Sequence, residues 1–135
     1  MKIILLFICL ISLNLYANVD NLSNDELIAL QKQGVTVIDI RTPEEWSETG
    51  TITNSHKIMF FDQQRKARVN EFMLAFEKIV TDKNQSFVLV CRTGSRTKAV
   101  TNFLDQKLGY TKTSHLTKGI KNWIAESHPV EKSIK

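Results

Sequence analysis

The sequence predicts an α/β fold: one domain built on a mainly parallel sheet with helices on both faces. Three observations lead there. Short, almost continuously apolar runs occur at Val35–Ile40 and Phe87–Val90, as in strands covered on both sides. Stretches with apolar residues at spacings of three and four alternate with them, and strands alternating with helices imply a parallel sheet. A length of 135 residues suits one domain able to bury its own core.

Taken in order, Ser23-Asn24-Asp25-Glu26 has the Ser-x-x-Glu spacing of a capping box. It opens a helix to about Gln33, with Leu27, Ile28 and Leu30 inward and Gly34 as its stop. The strand Val35–Ile40 follows. Thr42-Pro43-Glu44-Glu45 is a second capping box with proline at the first helical position, so a short helix carries Trp46 and ends at Gly50. Ile58–Phe61 reads as a second strand. From Asp62 the pattern turns helical, with Val69, Phe72, Met73, Phe76, Ile79 and Val80 forming an apolar stripe that reads as core. Arg65, Lys66 and Arg68 read as a solvated face. Asp82–Gln85 is a turn, and Phe87–Val90 is a buried strand ending at Cys91. Lys98–Leu108 is a helix stopped by Gly109; a strand near Thr113–Leu116 and a helix from Gly119 through Trp123 close the chain.

Composition narrows the possible functions. Five glycines, two prolines and 42% apolar residues exclude fibrous and disordered classes. The net charge of +4, from 18 basic and 14 acidic side chains, is mild and scattered, so no nucleic-acid partner is expected.

The N-terminus has the layout of a secretory signal. Lys2 supplies a positive charge, Ile3–Leu13 is apolar except for Ser12, and Ala17 is a small residue before the polar Asn18-Val19-Asp20. A membrane span needs roughly 20 apolar residues, and this run is shorter. The expectation is a signal peptide over residues 1–17, a folded domain over residues 18–135, and a periplasmic or secreted protein with no stable membrane anchor after cleavage. Removing 17 of the 135 residues would leave 118, with 17 basic and 14 acidic side chains and Cys91 as the sole cysteine, since Cys9 lies in the signal. Exported proteins usually pair their cysteines, so an unpaired one is either a small buried hydrophobe or a reactive group.

The surrounding residues favour the second. Cys91-Arg92-Thr93-Gly94-Ser95-Arg96-Thr97 lies between a buried strand and a helix, where ligands of parallel sheets sit. Gly94 lets the loop curl with its N–H groups inward, and these amides with the start of the next helix make an anion cradle. Arg92 and Arg96 add charge, while Thr93, Ser95 and Thr97 add hydroxyl donors. Such surroundings stabilise a thiolate and make it a nucleophile toward phosphorus, arsenic or sulfur. Cysteine phosphatases space Cys and Arg by five residues, and here Cys91 and Arg96 are separated by four. A tighter cradle suits one extra sulfur on the cysteine better than a whole phosphate.

The sequence resembles the rhodanese family of sulfurtransferases in its single-domain, exported form. Val37–Trp46 is similar to the family's Asp-x-Arg…Glu-aromatic segment, and Gly50–Ser55 to its Gly-His-Ile-x-Gly-Ala stretch. Cys91–Arg96 matches the Cys-x-x-Gly-x-Arg loop, and Lys118–Trp123 resembles the late Gly-Gly-x-x-x-Trp. The pieces come in the family's order and cover nearly all of the mature chain. Thr51, Asn54 and Lys118 depart from it, and Lys118 falls where the family places the mouth of its site.

The resemblance implies a rhodanese-like domain with a five-stranded sheet and a persulfide relay on Cys91. The donor would be a small anionic sulfur compound such as thiosulfate, and the acceptor cyanide or a thiol. Loop amides would hold the terminal sulfur, and Arg92 and Arg96 would bind the donor's oxyanion. Asp39, Arg41 and Glu45 read as a polar structural brace. His56, His115 and His128 lack metal-ligand spacing, so no metal and no cofactor are expected, and the protein is expected to be a monomer. A cysteine phosphatase or arsenate reductase, and a non-catalytic binding module, stay open as alternatives.

Overall fold

The computed structural model describes residues 19–132. The expected signal peptide, with Cys9, lies outside the described residues.

Five parallel strands form the central sheet, in the order β1-β6-β5-β2-β4. They are β1 (Asp20–Leu22), β2 (Thr36–Asp39), β4 (His56–Lys57), β5 (Phe87–Val90) and β6 (Thr113–Leu116). A small antiparallel pair, β3 (Thr51–Ile52) and β7 (Val130–Glu131), makes the fold mainly rather than wholly parallel. Strand β5 is central, between β6 and β2, and is buried at every position, which is why its sequence is unbroken Phe-Val-Leu-Val.

The alternation of β5 side chains divides the core in two. Phe87, Leu89 and Cys91 face α3 (Val69–Phe76) and α4 (Ser95–Gln106), joining Phe60, Phe72, Phe76, Val100, Leu104 and Tyr110. Aromatic rings stack densely there; Phe72 and Phe76 lie 5.3 Å apart and Phe76 meets Phe87 edge-on at 5.1 Å. Val88 and Val90 face the other side, with Leu27 of α1 (Asn24–Lys32) and Ile120 and Trp123 of α5 (Gly119–Ala125). Helices therefore cover both faces of the sheet.

Both expected capping boxes form. Ser23 Oγ accepts from Glu26 N and Glu26 returns a bond to Ser23 N, while Thr42 and Glu45 do the same at the start of α2 (Pro43–Thr49).

Three expectations are corrected. Ile58–Phe61 is not a regular strand; β4 is the preceding His56–Lys57, and it pairs at the sheet edge with Ile38 and Asp39. Ile58 and Phe60 are nevertheless buried, and their N–H groups donate to Asp39 O and Ile40 O just past the regular strand. Nor does the helix begin at Asp62. Asp62 Oδ1 accepts from Gln64 N and Lys66 N, closing a side-chain-capped turn that delays α3 to Val69. The next helix, α4, starts at Ser95, three residues earlier than its apolar face indicates.

Candidate active site

The loop between β5 and α4 holds Cys91 where the central strand ends. Gly94 has φ +97°, and a Cβ there would lie 2.0 Å from Thr117 O. Glycine is required both for the left-handed turn and for the close backbone approach. Gly119 is its counterpart across the gap, with φ +68° and a hypothetical Cβ 2.2 Å from Arg92 O. Backbone bonds fasten the two segments: Ile120 N–H donates to Cys91 O at 2.9 Å and Lys121 N–H to Arg92 O at 3.1 Å. The late Gly of the Lys118-Gly119 pair thus serves to seat the loop.

The thiol points inward and is fully buried. Gly94 N–H donates to Cys91 Sγ at 3.2 Å, and Thr97 Oγ1 lies 3.5 Å from the sulfur. Arg92, Thr93 and Ser95 are exposed, so their side chains face outward rather than toward Sγ. Thr97 is buried within the first turn of α4.

Arg96 is already engaged. Its Nη1 and Nη2 donate to Glu45 Oε2 and Oε1 at 2.8 and 2.7 Å, a two-pronged pair from α4 to α2. Arg96 holds the Glu45 carboxyl down at about 2, against the opposing effect of burial, and Glu45 raises Arg96 in return. The expected brace accordingly has different partners. Arg41, 1% exposed, pairs with fully buried Asp39 at 2.9 Å and donates to Gly50 O and Thr49 Oγ1. Trp46 Nε1–H completes it by donating to Asp39 Oδ1 at 3.1 Å. Only the backbone carbonyl of Glu45 meets Arg41, while its carboxylate turns to the loop.

A cleft of about 630 Å³ opens beside the Glu45–Arg96 pair, with Ser95, Phe61 and Arg65 among its walls. A second, of about 260 Å³, runs past Arg92 between α2 and α5. Lys118 is exposed and borders neither; it lies with Ser23 and Asn122 beside α1. Sequence reasoning missed two polar residues under the loop. His115 Nδ1 is 2.9 Å from Thr97 Oγ1, and its Nε2 is 2.8 Å from Asn21 Oδ1. No local pattern marks them, because the sheet order brings them together. Among the described residues, no group of three or more His, Cys, Asp or Glu side chains gathers as a metal site.

Among the described residues, this α/β domain presents one cysteine, buried and amide-bonded, in the strand-to-helix loop of a parallel sheet. The family model of the rhodanese-like domain matches residues 23–126, and the chain belongs to that family. A rhodanese-related protein from Thermoplasma volcanium is 26% identical, with TM-score 0.61 over 84% of this chain and 98% of that one. A Rhodopseudomonas palustris protein of unknown function, described as a possible tyrosine phosphatase, is also 26% identical, with TM-score 0.59 over 84% and 85%. A thiosulfate sulfurtransferase from Pseudomonas aeruginosa shares the fold, at 18% identity and TM-score 0.67, over 87% of this chain but 21% of its own length. No curated protein matches the sequence.

Proposed function

We propose that the protein is a sulfurtransferase that carries a sulfane sulfur as a persulfide on Cys91. The observation that supports this most directly is the placement of Cys91 Sγ at the end of β5, 3.2 Å from the Gly94 amide that opens α4. Amide hydrogen bonds to sulfur stabilise a thiolate, the nucleophilic form. The thiolate attacks the outer sulfur of a donor such as thiosulfate. A new S–S bond forms, the donor's own S–S bond breaks, and its electron pair leaves on sulfite. Cyanide or a thiol then attacks the terminal sulfur and the electron pair returns to Cys91. Covalent relay of this kind replaces one hard transfer with two easier ones.

The thiol is enclosed, so a donor reaches it only when the groups around it part. Arg92 is the exposed cation beside that opening and draws the donor dianion; Arg96, bound through both prongs to Glu45, steadies the loop. That engagement also weighs against the phosphatase reading, which needs a free guanidinium fork to grip phosphate. A binding module without chemistry would not need the intact thiol loop. We further propose that residues 1–17 direct the domain, a monomer, to the periplasm or outside the cell.

Intact-mass spectrometry after thiosulfate treatment, without reductant, should show a gain of about 32 Da, one persulfide sulfur, that Cys91→Ala abolishes. Thiocyanate should form from thiosulfate and cyanide. Aryl-phosphate hydrolysis without thiocyanate or the adduct would overturn the proposal.

A further inference from the structure

The polar groups of the site continue past the sulfur to the protein surface. Register sets Asn21 beside His115 and His115 beside Leu89, two residues before Cys91 on the same face of β5. The first turn of α4 lays Thr97 over this row. The result is an unbroken chain: Cys91 Sγ to Thr97 Oγ1 at 3.5 Å, Thr97 Oγ1 to His115 Nδ1 at 2.9 Å, and His115 Nε2 to Asn21 Oδ1 at 2.8 Å. Cys91 and Thr97 are fully buried and His115 is 3% exposed, whereas Asn21 is exposed. This chain of side chains links the enclosed thiol to an exposed residue.

One order of donors carries a proton from the thiol to the ring. Asn21 presents its amide oxygen to Nε2, so Nε2 carries the ring proton and Nδ1 is left with a lone pair. Thr97 has one hydroxyl proton and three acceptors in reach, His115 Nδ1 at 2.9 Å, Gly94 O at 3.1 Å and Cys91 Sγ at 3.5 Å. Given to His115, that proton leaves the Thr97 oxygen free to accept from the thiol.

We propose that His115 is the positioning residue for Cys91 and receives the thiol proton through Thr97. The proposal deepens the sulfurtransferase reading and rests on it for its catalytic meaning. In the step, the Cys91 S–H bond breaks and its proton bonds to Thr97 Oγ1, whose own proton passes to His115 Nδ1. Cys91 becomes a thiolate accepting from Thr97, and His115 becomes an imidazolium held by Asn21. The thiolate can then attack the donor sulfur without exchanging a proton through the covered side of the loop. When the acceptor removes the sulfur, the same path returns the proton.

Of the charged side chains, Lys98 of α4 acts on the His115 ring and Arg96 of α4 on Cys91. Burial, aided by Lys98, holds His115 below its ordinary range. The ring is therefore neutral and able to accept near neutral pH. A histidine that only fills space would also be neutral, so the test must read the sulfur.

Thiolate ultraviolet absorbance, taken as the difference from Cys91→Ser, should be followed against pH in the wild type, His115→Asn, Thr97→Val and Thr97→Ser. Loss of the relay should raise the thiolate midpoint by about one pH unit or more in His115→Asn and Thr97→Val, as expected when a cysteine loses a charged imidazole partner. Thr97→Ser, which keeps the hydroxyl, should retain the wild-type midpoint. A folded His115→Asn with an unchanged midpoint would overturn the relay, and so would an unchanged Thr97→Val. Independently of those variants, NMR titration of His115 should move to lower pH in Cys91→Ser, and an unmoved titration overturns the coupling. These readouts use no sulfur donor. A shifted midpoint without the persulfide adduct would support the relay and sink the sulfurtransferase reading, whereas the adduct with an unshifted midpoint would sink the relay alone.

Discussion

Glu45 and Arg96, 51 positions apart, meet as a two-pronged ion pair at 2.7 and 2.8 Å that ties α2 to the cysteine loop. Glu45 has two tasks at once, since its carboxylate also caps Thr42 at the start of α2. The capping box and the loop anchor are therefore one structure, and a change at either end should disturb both.

The pair gives the first prediction. Glu45 is held at about 2, below its ordinary 4.5, so its contribution to stability is complete above pH 4.5 and is lost as pH falls from there toward 2. Glu45→Gln should destabilise the protein by about 1 kcal/mol at neutral pH, no more, because partly exposed pairs are screened. It should also flatten the acid limb of a urea-unfolding series over that window. Parallel acid limbs in the two proteins would refute the assignment.

Glycine substitutions should separate strain from collision. Gly34, Gly94 and Gly119 all have positive φ, but a Cβ at Gly34 meets nothing within 4 Å, while at Gly94 and Gly119 it collides with backbone oxygens at 2.0 and 2.2 Å. Gly34→Ala should cost about 1 kcal/mol of backbone strain. Gly94→Ala and Gly119→Ala should cost clearly more and displace the loop, since the atoms in the way are main chain. Equal losses at all three positions, measured by denaturant unfolding, would refute the distinction.

Those glycines also mark how far the sequence could be read. Features written in adjacent residues were legible: both capping boxes, the wholly buried β5, and the strand-loop-helix around Cys91. Features written in register were not. The Glu45 carboxylate had two cations within reach in sequence terms, Arg41 and, after folding, Arg96; its pairing with Arg96 depends on α2 lying over the start of α4. His115 offered only a lone imidazole in a strand, and its contact with Asn21 arises because β1, a strand of three residues at the sheet edge, pairs with β6. Ile58–Phe61 misled differently: Ile58 and Phe60 are core and still donate to Asp39 O and Ile40 O, but the regular strand is the two residues before them.

Asp39 and Arg41 form the most deeply buried ion pair of the described residues, at 0% and 1% exposure. Removing either alone leaves an uncompensated buried charge, so Asp39→Ala and Arg41→Ala should each cost about 3–5 kcal/mol. The double variant should lose far less than the sum, since neither charge remains to be desolvated. Additive losses in a double-mutant cycle would show that the two side chains act separately, against the geometry.

His115 makes the last prediction, in a fall of stability that sets in below about 6.5. Its folded-state value lies below the ordinary 6.5 because burial penalises the imidazolium and Lys98 repels it. An unfolded chain therefore takes up a proton here more readily than the folded one as pH drops. The contribution of neutral, buried His115 to stability is complete above about 6.5 and declines as pH falls through the folded-state value. Urea-unfolding midpoints of the wild type should fall over that interval. His115→Asn cannot take up the proton, so its midpoints should change less across the same interval, whatever stability it loses at neutral pH. A variant with the wild-type slope there would mean that His115 keeps its ordinary titration in the folded protein.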